Sequence, residues 1–339
     1  DLSHRDGHGR VNPRLSVVIA TRNRRDRLRE TLAAIESQWC SGVEVLVADG
    51  ASDDGTVEML GSLAMSRPWL RILRLAPDGG VDKDYDLAVC EARGDWCWLF
   101  TDDDLPAPGA ISRVVAALEA DHDMVVVDAE IRDDRCERVL RPRQLPLSAD
   151  RVYVPGDGAL LSDLGAHLSF IGAVIIRRAL WLERERARYY GSLFIHVGVI
   201  FQKPLLGTVL AIAQPLIRVR YGVGGWSSRR AHIWLFLWPK LIWSFADYSP
   251  EAKSAVCHPE PWRQPHRLVA LRAVNAIDGL FYSQMLRPRL GRWQRILARP
   301  CATMPVSLAN RLLTVAHFLL RRSGSGIARF DLRQAWHAR

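Results

Sequence analysis

Residues 15–21, LSVVIAT, are apolar almost throughout and end on a hydroxyl. A continuous apolar run of this length fits a strand buried on both faces. Residues 25–38 then place Leu28, Leu32 and Ile35 at helical spacing, which predicts an amphipathic helix. The alternation continues with a buried strand over 43–50 and a helix over 53–64 with Asp53 or Asp54 as N-cap. A strand over 70–76 and a helix over 84–92 closed by Gly94 follow. The last part reads as a strand over 96–101, a helix over 108–120 entered through Pro108, and a strand over 123–131. Strands and helices joined by short connections predict an α/β fold, a Rossmann-like, mostly parallel sheet with helices on both faces. In such sheets ligands sit outside the carboxyl ends of the strands.

From 130 to 160 the pattern dissolves into loops and irregular strands, and 168–178 is apolar before turning basic. Beyond 226 the chain is rich in Trp and Arg, with helical stripes such as 310–322. Two regions are expected: an α/β domain over 14–225 and a helical, basic C-terminal extension over 226–339.

Charge sharpens that division. The chain carries a formal net charge of +9, yet residues 251–339 alone hold fourteen Arg and one Lys against four acids. The front is near neutral and the tail basic, which points to anionic partners. No nucleic-acid-binding module is present, so nucleic acid is not the expected partner. The stretches 229–245 and 305–322 mix basic residues with aromatic or aliphatic anchors. Such segments either lie on an anionic membrane surface, pack on the α/β domain, or pair in a homo-oligomer. Six cysteines form no C-x-x-C pattern, and the polar leader has no secretory core, so a cytoplasmic setting is expected. No run reaches the roughly 18 apolar residues of a membrane span; Pro239 and Lys240 interrupt the nearest, 233–245.

Three strands end in polar sets: Thr21-Arg22-Asn23, Asp49 to Asp54, and Asp102-Asp103-Asp104. All three would converge on one crevice. Adjacent carboxylates repel unless a cation or solvent offsets them. Mg²⁺ or Mn²⁺ bound there would hold a diphosphate; the alternative is a solvated acidic turn capping the helix that starts near Pro108. The first strand is followed by neither G-x-G-x-x-G nor G-x-x-x-x-G-K-[ST], which excludes a dinucleotide fingerprint and a P-loop.

In that order and spacing, LSVVIATRNRRDRLRETLAAI, VEVLVADGASDDGT and GDWCWLFTDDD resemble the successive signatures of family 2 inverting glycosyltransferases of the GT-A fold. The stretch 79–105 is similar to the abequosyltransferase-like subgroup. The resemblance covers roughly 14–220. It implies a nucleotide-diphosphate-sugar donor and a saccharide acceptor, lipid-linked as in O-antigen assembly, at the inner membrane face. It implies that Thr21 and Arg22 line the nucleotide site, that Asp49 meets the nucleobase and Asp102 the ribose, and that Asp103 binds a divalent metal, with Asp104 as an alternative ligand. The family's usual second acid after strand two is replaced by Gly50, and its usual "ARN.G" segment by VDKDYDLAV. Asp82, Lys83 and Asp84 are therefore expected near the sugar or diphosphate.

Inversion needs a base for the acceptor hydroxyl. Where the family carries that acid, this chain reads YYGSLFIHVGVIF, with His196 in its place. A neutral imidazole can act near pH 7, so His196 is the expected base, with Asp157 and Asp163 as runners-up. RLGRW, 289–293, matches a motif of processive members that thread polymer through membrane spans, and is discounted because no span is present. The competing readings are a nucleotidyltransferase, which would need a Gly-rich basic loop after strand one, and a nucleotide-sugar-binding protein without turnover.

Overall fold

The computed structural model describes residues 4–5, 11–77, 79–156, 158–222, 229–320 and 325–337. Asp157 lies outside them. Its centre is a ten-stranded sheet. Strands β1 (Leu15–Thr21), β2 (Val43–Asp49), β3 (Leu70–Arg74) and β4 (Trp96–Phe100) are parallel, in spatial order β3-β2-β1-β4. Helices α1 (Arg25–Glu36), α2 (Thr56–Ala64) and α3 (Val81–Glu91) connect them. After β4 come a short strand β5 (Leu105–Pro106), helix α4 (Ala110–Ala117) and the long strand β6 (His122–Arg132). Strands β7 (Val139–Arg141) and β8 (Arg151–Tyr153) fall in the stretch without periodicity. Strand β9 (Val174–Arg177) wedges antiparallel between β4 and β6, and β10 (Thr208–Arg220) runs parallel to β6 on its far side.

The continuous apolar strands earn that character by being buried on both faces. Val18, Leu46, Cys97 and Leu99 point into one core, and Val17, Ile19, Val45, Val47, Trp98 and Phe100 into the other. Helix α5 (Ile195–Phe201) is wholly buried in the first core.

The first core does not stop at residue 225. Ile233, Trp238, Leu241, Ile242, Phe245 and Cys257 are part of it, so the change in composition there is not a break in packing. Most of the apolar side of 229–245 is thereby spent inside the protein. Helices α6 (Pro265–Ala273), α7 (Arg292–Thr303), α8 (Val306–Leu320) and α9 (Ser325–His337) follow, with two small cores of their own. Among the described residues no helix is long and apolar enough to cross a membrane.

Candidate active site

Strand register builds the site. Thr21 pairs with Asp49 across β1 and β2, and Ile19 pairs with Phe100 across β1 and β4. The residues just past β4 therefore lie level with Thr21, whose hydroxyl donates to Asp102 Oδ2 at 2.8 Å. Two loops lock together at this edge. Asn23 Oδ1 accepts from Asp53 N, and Asn23 N donates to Ser52 Oγ, both at 2.9 Å. Asn23 and Ala51 hold positive φ there, 55° and 61°, the sort of backbone strain that clusters at functional sites.

The acidic triplet divides by role. Asp102 is boxed in, and burial with the adjacent Asp103 pushes its carboxyl up to about 6, while Thr21 and Arg24 pull it back. Asp103 is also raised by burial, opposed by Arg24 and Arg220; Arg24 Nη1 lies 3.1 Å from its Oδ2. Asp104 faces inward. Its Oδ2 accepts from Thr101 Oγ1 at 2.6 Å and its Oδ1 from Arg220 N at 2.8 Å. Both oxygens are thus committed to the turn, and Asp104 is corrected from alternative metal ligand to the residue that fastens the acidic loop to β10. Thr31 of α1 completes that fastening, donating to the Asp104 carbonyl at 2.8 Å.

Among the described residues no three His, Cys, Asp or Glu side chains form a metal cage. A divalent cation here would rest on Asp103 and take its remaining oxygens from a diphosphate and water, a common arrangement for Mg²⁺. Two desolvated carboxylates held side by side fit that use, because a cation relieves the repulsion between them.

Asp49 is fully buried; its Oδ2 accepts from Ser52 N at 3.2 Å, and its Oδ1 has no protein partner. The three residues expected near the sugar separate. Lys83 is exposed at the start of α3. Asp82 turns away from the strand edge: its carboxylate accepts from Leu193 N at 2.8 Å and Ile195 N at 3.0 Å, capping α5. It is corrected from a donor contact to a support for α5. Asp84 is the acid that faces the edge, lying against Gly50 and within the field of Arg22, Lys83 and Asp49. Arg22 is exposed and donates to the Pro77 carbonyl at 3.1 Å.

His196 is also corrected. It is 1% exposed, inside the core, and Nε2 donates to the Leu168 carbonyl at 2.7 Å. Burial depresses its pKa to about 4. It lines no part of the cleft described next, so an acceptor hydroxyl there has no route to it. Asp163 is likewise engaged elsewhere, paired with Arg151 at 2.7 Å.

Beyond Asp103 opens a cleft of about 370 Å³, walled by Phe170, Ile171, Phe194, Tyr221, Ile233 and Trp234, with Arg220 and Arg230 at its side. From the C-terminal region Arg230, Ile233 and Trp234 join this wall, a role that sequence reasoning missed because no local pattern marks it. Trp234 stays 41% exposed and leans on Phe194 and Trp238. Asp331, on α9, latches the wall: its Oδ2 accepts from Tyr221 Oη at 2.9 Å and pairs with Arg230 Nη1 at 3.1 Å.

Residues 16–181 match the model described as Glycosyl transferase family 2. Abequosyltransferase RfbV of Salmonella typhimurium (strain LT2) is 26% identical over 222 residues, covering 61% of this chain and 66% of that protein. The uncharacterized glycosyltransferase YfnE of Bacillus subtilis (strain 168) is 33% identical over 112 residues, 33% of this chain and 28% of its own length. The chain thus spans less than two thirds of either curated relative. Among solved structures, mannosyltransferase PcManGT from Pyrobaculum calidifontis, in complex with GDP-Man and Mn²⁺, has a TM-score of 0.55 at 19% identity, covering 99% of this chain and 85% of that one. S. aureus TarS 1–349 in complex with UDP-GlcNAc has a TM-score of 0.54 at 13% identity, covering 96% and 92%. At such identities the likeness establishes the fold, that of GT-A glycosyltransferases.

Proposed function

From the premise that this chain belongs to glycosyl transferase family 2 through residues 16–181, we propose that it moves a hexosyl or deoxyhexosyl group, with inversion, from a nucleotide-diphosphate sugar to a saccharide hydroxyl. The acceptor in this reading is a lipid-linked glycan of a cell-surface polysaccharide, by analogy with RfbV. The observation that carries it is the strand register that puts Thr21, Asp49 and Asp102 on one edge, with Asp103 next to an aromatic cleft.

Asp49 offers a buried carboxylate oxygen without a protein partner to a nucleobase N–H. Asp102, held by Thr21, faces the ribose. Arg22 and Lys83 bring positive charge to the diphosphate. Asp103 would hold a divalent cation, which when bound offsets charge on the leaving diphosphate. Phe170, Phe194 and Trp234 give apolar faces on which sugar rings stack, with Arg230 as a polar guide. In the transfer, the acceptor oxygen bonds to the anomeric carbon as the bond to the diphosphate oxygen breaks, and the hydroxyl proton leaves to a base other than His196.

Isothermal titration with UDP, GDP, CDP and dTDP, each with and without Mn²⁺, tests this. One nucleotide should bind with the metal, and Asp103→Ala should weaken it by at least about tenfold. If none binds in either condition, the triplet is a structural turn and the reading fails.

A further inference from the structure

The C-terminal helices expose apolar surface that the cores leave uncovered. On α7, Trp293, Ile296 and Leu297 are 82%, 63% and 61% exposed; on α8, Leu308, Leu312 and Val315 are 47%, 50% and 55% exposed. The opposite faces carry the buried residues Ala298, Ala302 and Ala309, and both helices brace against α6. Single exposed hydrophobes are ordinary, but a stripe of three at helical spacing on each of two consecutive helices is more than scatter.

Along the chain from 279 to 330 the charge is of one sign. Arg292 and Arg299 on α7, Arg311 on α8, and Arg287 and Arg289 just ahead are all exposed. From 279 to 330 the sequence contains no Asp or Glu. We propose that α7 and α8 seat this protein on an anionic bilayer, with Trp293 and its apolar neighbours in the headgroup layer and the arginines on lipid phosphates. Amphipathic helices with Arg beside Trp and Leu bind such surfaces through both effects at once. A second copy is the poorer occupant. A two-fold contact would set this arginine-rich face against itself, with no acid between 279 and 330 to answer it. The stretch 229–245 does not serve, because Trp238, Leu241, Ile242 and Phe245 are buried. The inference does not depend on the sugar or nucleotide used.

The full chain should co-sediment with vesicles containing phosphatidylglycerol, much less with pure phosphatidylcholine, and the binding should weaken at high salt. The double variant Arg292→Glu/Arg299→Glu should lower the partition coefficient by at least about tenfold, and Trp293→Ser/Ile296→Ser should lower it as well. Thermal melts of both variants check that each remains folded. The proposal is overturned if the wild type ignores anionic vesicles or binds neutral ones equally. It is also overturned if size exclusion shows a dimer that the serine variant splits, since a second copy would then cover the face.

Discussion

Gly50 stands where the family resemblance leads one to expect a second acid. A Cβ on Gly50 would lie 3.1 Å from Asp84 Oδ2, and one on Gly79 would lie 2.5 Å from Asp84 Oδ1. The space and charge of the missing acid are therefore taken by Asp84, arriving from α3. Burial pushes its carboxyl up to about 6, Asp49 adds to the push, and Arg22 and Lys83 oppose it. Between the ordinary carboxylate value and about 6, the folded chain keeps a proton that the unfolded chain has released. This group's contribution to stability therefore falls as pH rises through that window. Asp84→Asn should raise Tm by about 2–4 °C near ~pH 7.5 and leave it almost unchanged near ~pH 4. Calorimetry at both values decides it; a lower Tm at the higher pH would mean that the ionised carboxylate is a net support. The sequence put Asp82, Lys83 and Asp84 near the donor but did not sort them. Their sorting depends on residues 193–195, more than a hundred positions away, which no local pattern reveals.

Elements explain why α5 is structural. Asp82 caps its first turn, and His196 ties it to the Leu168 carbonyl. On α3, Asp86 lies one turn beyond Asp82 on the same side, accepting from Trp181 Nε1 at 2.9 Å. One face of α3 thus organises segment 181–195 while Asp84 serves the strand edge. His196→Gln retains a donor of similar reach. It should lower Tm while leaving kcat within a few-fold of wild type, whereas loss of a true general base costs about 10²–10⁴-fold. A pH–rate profile of the variant with an unaltered acid limb completes the test. The strands and helices from 15 to 132 were legible because short apolar runs bounded by polar turns alternate with stripes at helical spacing. Helix α5, buried on every side, has no period to read, so only the family resemblance spoke for His196, and its burial did not show in the sequence.

At the scale of the whole molecule, the strand edge and the aromatic cleft come from distant parts of the chain. The edge is built by residues before 105, and much of the cleft wall by residues after 219. The latch joins them: Asp331 holds Tyr221 and Arg230 where they face the cleft. Burial raises the Asp331 carboxyl, and Arg230 with Tyr221 draws it down again. Asp331→Ala removes the answering charge from a partly buried guanidinium, an expensive loss. It should raise KM for the acceptor about tenfold or more and leave nucleotide affinity unchanged. Equal losses on both sides would show that α9 supports the fold generally. Sequence composition marked 226–339 as different but could not show that its first helices complete the main core, because their partners lie on α5.

Ribosomes make a protein from its amino end. The edge from Thr21 to Asp104 has therefore been translated while the codons of α9 are still unread. A messenger cut just ahead of Ser325 would yield a chain that has residues 21–104 and the residues of the main core but lacks the Asp331 clasp on Tyr221 and Arg230. Such a product would still titrate with nucleotide in a binding assay while handling its second substrate poorly. In the proposed reading, nucleotide binding alone would not show that the wall closed by Asp331 is in place.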